Sequence, residues 1–84
     1  MRMTYVRVQP SEGIWGVTLS GEDAPLATFA RWDDAIDYAR GLAIENGDCV
    51  LEGEDRSGRL AVREEFYADA TGAVCVCSVL ERTH

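Results

Sequence analysis

FARWDDAIDYARGLAIENG, residues 29–47, is the one segment long and periodic enough to form a helix, and the rest of the fold is arranged around it. Trp32, Ala35, Ile36, Ala39, Leu42 and Ala43 recur at steps of three and four, which lines them along one face at a period near 3.6. Asp33, Asp34, Asp37, Arg40 and Glu45 fall mostly on the other sides. Asp33 and Asp34 stand in the first turn, where carboxylates complement the positive end of the helix dipole. Asn46-Gly47 is a natural stop, because glycine accepts the left-handed conformation that a C-terminal cap often needs. Arg31 falls at the N-cap, where Ser, Thr, Asp or Asn would serve better. Gly41 lies inside the helix at a cost of about 1 kcal/mol relative to Ala. It reads as a tolerated weak spot and, with Ala35, Ala39 and Ala43, as part of a small-residue face that lets a sheet come close.

Before the helix, three alternating stretches read as strands. Residues 4–9 place Val6 and Val8 on one face and Tyr5, Arg7 and Gln9 on the other. Pro10-Ser11-Glu12-Gly13 is turn chemistry, and residues 14–20 then set Trp15, Val17 and Leu19 against Gly16, Thr18 and Ser20. After a loop at 21–25, residues 26–29 form a short third strand, with Phe29 at the junction with the helix; the three make a meander. Beyond the helix, residues 49–52 read as a strand and 53–58 as an acidic, glycine-bounded hairpin loop. Residues 59–67 follow, with Leu60, Val62 and Phe66 on one face and Arg59, Ala61, Arg63 and Tyr67 on the other. Glu64 breaks the apolar side, which predicts an end or a bend there. A turn at 68–72 leads to a last strand at 73–80, and no internal repeat is evident. The predicted architecture is α+β: an antiparallel sheet in β-β-β-α-β-β order plus a C-terminal strand, with one helix packed on one face.

At 84 residues the chain is a single domain near the lower end of what folds unaided. A chain of this size buries only about 60–65% of its unfolded surface, so dimerisation would supplement a small core. A hydrophobic content of 46% and two prolines mark a globular chain. No apolar run approaches the ~18–20 residues of a membrane span, and the first residues, MRMTYVRVQP, lack a signal-peptide block, so no membrane contact and a cytoplasmic location are expected. The net charge is -7, from 15 acidic and 8 basic residues, and every basic residue is arginine. That balance argues against broad nonspecific DNA binding, whose affinity comes from neutralising phosphates.

The last strand carries no polar side: Val74, Val76 and Leu80 alternate with Cys75, Cys77 and Val79. Such a strand is expected to be covered on both faces, by the domain or by a second subunit, since a long open apolar edge invites aggregation. A homodimer with this strand near the interface follows as an expectation. The three cysteines are an odd count for a disulfide framework. Cys75 and Cys77 share a face about 6.5–7 Å apart, at or beyond the usual disulfide limit. Zinc would need further ligands, with only Cys49 and His84 to draw on, so Cys49, Cys75 and Cys77 read as small buried hydrophobes.

Several of these features occur together in a known pattern. They are V-R-V-Q-P at 6–10, G-I-W-G-V at 13–17, Phe29, and A-I-x-x-A-x-x-x-A carried by Ala35, Ile36, Ala39 and Ala43. Gly47, Gly53, D-R-S-G-R-L at 55–60 and Tyr67 follow. The set resembles the small prokaryotic family catalogued as domain of unknown function 2188, over about residues 5–67, with 68–84 a C-terminal strand extension outside it. The sequence departs from that pattern at Arg31, where a Ser or Thr cap stands in the family, and in extra residues of the 53–58 loop. The resemblance implies a β-β-β-α-β-β order, no established activity, and no catalytic residues to carry over.

For function, the sequence points away from an enzyme, with no catalytic residue, cofactor motif or metal set. Its single histidine is at the C-terminus, its serines sit in turns, and its carboxylates are spread as a solvated surface. With the helix on one side of the sheet, the other side would collect Tyr5, Arg7, Gln9, Thr18, Arg59, Arg63 and Tyr67. Arginines with aromatics on an open sheet are a candidate nucleic-acid platform, although cross-strand Arg–Glu pairing is the simpler reading. The first expectation is a small interaction module that self-associates or takes a protein partner; the alternative is a nucleic-acid-binding domain, opposed by the charge.

Overall fold

The computed structural model describes residues 4–81. Its elements are β1 (Thr4–Ser11), β2 (Ile14–Leu19), β3 (Ala27–Phe29), α1 (Trp32–Asn46), β4 (Cys49–Glu54), β5 (Leu60–Ala68) and β6 (Val74–Glu81). The class is α+β and the element order is the expected one. All six strands join one open sheet ordered β3-β2-β1-β4-β5-β6. Two meanders, β1 to β3 and β4 to β6, meet along β1 and β4. Every pairing is antiparallel except that central one, where β1 and β4 run parallel with Val6 opposite Leu51 and Arg7 opposite Glu52. A wholly antiparallel sheet is thus corrected at one joint, and counting reversals explains it. Three meander strands leave the chain at the far end from where β1 began; α1 carries it back across the face, so β4 starts level with β1 and runs the same way.

The β1–β2 hairpin closes on Glu12 and Gly13, both with positive φ (50° and 84°), the two-residue turn whose twist matches the strands. Both strands therefore run up to the turn, and β1 includes Pro10 and Ser11. The β1–β4 register ends at Val8 opposite Gly53, so the N–H that Pro10 lacks costs no bond to β4.

The core lies between α1 and the inner row of the sheet. Val6, Val8, Trp15, Val17, Cys49, Leu51, Val62 and Phe66 from the strands meet Ala35, Ile36, Ala39 and Ala43 from the helix. Phe29 packs at the edge of this cluster, its ring 5.3 Å from that of Tyr38. The helix begins at Arg31 without a side-chain cap and ends at Gly47, whose N–H donates to the Ala43 carbonyl. Gly41 does not face the sheet: it is exposed, and a Cβ there would touch nothing within 4 Å. The glycine that permits close approach is Gly53, where a Cβ would come within 2.8 Å of Ile36 Cδ1.

β5 continues through Glu64 instead of ending there. Glu64 points inward between Val62 and Phe66, 6% exposed, and Arg40 on α1 holds its carboxylate in a bidentate pair (2.9 and 2.8 Å). The irregularity expected near it appears as a skip in the β5–β6 register between Arg63 and Glu64. A second skip, between Gly53 and Glu54, sets Val62 opposite Gly53 but Leu60 opposite Glu54, which takes Leu60 out of the row of Val62 and Phe66.

The two hairpin loops that flank β5 are built alike. In D-R-S-G-R (55–59) and D-A-T-G-A (69–73) the aspartate Oδ1 accepts from the N–H and hydroxyl of the residue two on and from the N–H four on. Gly58 and Gly72 hold φ of 85° and 88°. Hydrogen bonds from Ser57 and Thr71, together with backbone N–H groups, hold the Asp55 and Asp69 carboxyls below the ordinary carboxylate range.

Candidate functional site

Alternation along the strands sends Tyr5, Arg7, Gln9 and Thr18 to the face opposite α1, as expected from parity. They line a shallow depression of about 330 Å³ together with Leu19, Ser20, Gly21 and Glu22. Arg63 and Tyr67 of β5 lie across β4 on the same face. Arg59 does not join them: it is an exposed loop residue just before β5.

Cross-strand Arg–Glu pairing, the simpler expectation for this face, is what the structure shows, and the carboxylates that supply it had not been named from the sequence. Glu52 stands between Arg7 and Arg63 in register, 3.5 Å from Arg7 and hydrogen-bonded by Arg63, which also reaches Glu65 at 3.6 Å. The Tyr67 hydroxyl donates to Glu65 Oε1 (2.6 Å), and Gln9 Nε2 donates to Glu54 Oε2 (3.0 Å). Partial burial works against the Arg63 charge, but Glu52 and Glu65 outweigh it and raise its pKa. The hydrogen bond to Glu65 likewise raises that of the Tyr67 phenol. The signal was present in strand parity, since 52, 54 and 65 fall on the same face as 7, 9 and 63. With Arg63 held by Glu52 and Glu65, and Arg7 beside Glu52, the face lacks the excess positive charge that phosphate binding needs. The face is a cross-strand ion-pair lattice.

The other candidate surface is β6. It occupies an edge of the sheet, and α1 packs mainly over β1, β4, β2 and β3. Val74 still packs on the core margin, but Cys75, Cys77 and Ser78 are exposed and Val76 is 53% exposed. The side chains of Val79 and Leu80 lie outside the described residues. The expectation of three buried thiols is corrected: Cys49 is buried, and burial raises its pKa, whereas Cys75 and Cys77 are exposed because nothing among the described residues covers the outer face of this edge strand. Among the described residues no group of three or more His, Cys, Asp or Glu could hold a metal, and no helix is long and apolar enough to cross a membrane.

A family model described as "Uncharacterized protein conserved in bacteria (DUF2188)" matches residues 6–64. No curated protein and no solved structure matches the chain.

Proposed function

The chain belongs to the DUF2188 family of uncharacterized proteins conserved in bacteria, and on that premise we propose that it is a small interaction module that self-associates through β6. The observation that carries this reading is the state of that strand in the monomer. Eight residues long, it sits at the sheet edge, and no described strand pairs with its outer row of backbone groups. Between Val74 and Leu80 it has no charge and no proline, the devices that keep natural edge strands apart. A second copy pairing along it would satisfy those groups, continue the sheet and cover exposed apolar surface. A core as small as this one gains most from such burial.

The opposite face supports the same division of labour. Its arginines are already paired with Glu52 and Glu65, so it is a self-satisfied polar surface rather than a docking platform. The test is sedimentation velocity under reducing conditions, so that the exposed thiols of Cys75 and Cys77 cannot cross-link copies. Wild type is expected at twice the 9.2 kDa chain mass in the micromolar range. Val76→Lys, a change at a half-exposed position that puts a charge on the edge, is expected to sediment as a monomer with an unchanged circular dichroism spectrum. A wild type that stays monomeric across that range, or a Val76→Lys variant that still dimerises, would refute the reading.

A further inference from the structure

At the end of the molecule where α1 begins, the β4–β5 loop rises beside the N-terminus of the helix and leaves a cleft of about 610 Å³. Trp15, Trp32, Arg31, Arg56, Asp55 and Ser57 line it. The volume lies within the range of small-molecule sites. The cleft is fixed from beneath. Trp15 is 4% exposed and belongs to the core, and the Trp32 indole N–H donates to the Glu54 carbonyl (2.9 Å), which ties the loop to the helix. A second depression of about 140 Å³ shares Trp15 and Arg56 and runs on to Pro10, Gly13 and the partly exposed Ile14.

The arginines of this cleft differ from those held within the sheet and on the helix. Arg7, Arg40 and Arg63 are tied to carboxylates of neighbouring elements. Arg56 makes no ion pair among the described residues, and Arg31 has only Asp33, at 3.9 Å with both side chains about three-quarters exposed. The one carboxylate in the wall, Asp55, has Oδ1 turned into its own loop, onto Ser57 and the Arg59 N–H. In a chain of net charge -7, Arg56 thus stands without an ion pair among the described residues, and Arg31 with one long and exposed one, beside two indoles.

We propose that this cleft binds a small organic anion, a phosphate or carboxylate carried on a flat apolar body, with the anionic group on Arg56 and Arg31 and the body against Trp15 and Trp32. A guanidinium offers forked donors to either oxyanion. The aromatic wall supplies the apolar contact that a bare inorganic ion could not use. No described residue of β6 lines this site, and the proposal does not depend on self-association.

Trp15 and Trp32 are the only tryptophans in the chain, so intrinsic fluorescence reports on this cleft and the depression that adjoins it. Wild-type protein is titrated with phenyl phosphate, benzoate, inorganic phosphate and benzyl alcohol, with excitation at the red edge of the indole band. Phenyl phosphate or benzoate is expected to change the emission saturably, and about tenfold or more tightly than inorganic phosphate or benzyl alcohol; which of the two binds better identifies the anionic group. Arg56→Ala and Arg31→Ala, both exposed substitutions, are each expected to weaken that binding about tenfold, the size of a charge-assisted contact, while the far-ultraviolet spectrum stays native. Absence of a saturable response to both aryl anions, equal affinity for inorganic phosphate, or unchanged affinity in both arginine variants would overturn the proposal.

Discussion

Two glycines show how residue type alone misleads about position. Gly41 occupies a helix interior but faces solvent with open space around it, so its lost propensity is not compensated by packing. Gly41→Ala is predicted to stabilise the fold by about 0.5–1 kcal/mol, raising the melting midpoint by several degrees in a calorimetric scan. Gly53 is the opposite case, with Ile36 Cδ1, Trp32 and Val62 closing on the place a Cβ would take. Gly53→Ala is predicted to cost about 1–3 kcal/mol in denaturant unfolding. Ile36→Val, which removes the closest atom, should cost less in the Gly53→Ala background than alone, and additive costs would contradict the contact. Both glycines were visible in the sequence, but which one meets a neighbour depends on where the helix lies over β4. The Arg40–Glu64 pair makes a similar point: an acid between Val62 and Phe66 looked like an interruption until the helix supplied its partner. Arg40→Ala leaves the Glu64 carboxylate buried without that partner and is predicted to cost about 3 kcal/mol. Glu64→Leu, which replaces the acid with apolar volume, should cost clearly less, as measured by chemical denaturation.

At the scale of elements, strand parity carried most of the correct assignment, and its failures lie where the register skips. Val6, Val8, Trp15 and Val17 face inward and Tyr5, Arg7, Gln9 and Thr18 outward, as simple alternation requires. Alternation fails at Leu60, because one extra residue between the pairs at Gly53 and Glu54 shifts everything before Val62. Local sequence does not announce such a skip. The parallel joint of β1 and β4 was equally hidden, since it follows from the path of the whole β1-to-α1 segment. The twin loops around β5 were readable as turns but not as one repeated device, because Ser57 and Thr71 differ in name and share only a hydroxyl. Their aspartates give a pH signature. Folded-state pKa values below those of the unfolded chain mean that the contribution is fully present above the ordinary carboxylate pKa of about 3.9 and is lost as pH falls through the folded values. Wild-type stability should therefore fall in the acid range below about pH 4. An Asp55→Asn, Asp69→Asn variant, which keeps an acceptor oxygen but no titrating group, should show a flatter acid limb in urea melts at successive pH values.

For the whole molecule, the governing fact is a six-stranded sheet with a single helix that lies over only part of one face. One surface is closed chemically, by the lattice of Arg7, Glu52, Arg63 and Glu65. The other opening, along β6, is closed by nothing among the described residues. The sequence marks it as a strand with no polar side but does not place it at the sheet edge, because that is a matter of topology. Self-association through that edge is tested most directly by amide hydrogen exchange of β6 as a function of protein concentration. In an isolated edge strand every second amide points to solvent and exchanges freely. If two copies pair along β6, those outward amides from Val74 to Glu81 should gain protection as concentration rises through the micromolar range, while the amides of β3, at the opposite edge, stay unchanged. Outward β6 amides that exchange at the same rate at every concentration would contradict the account.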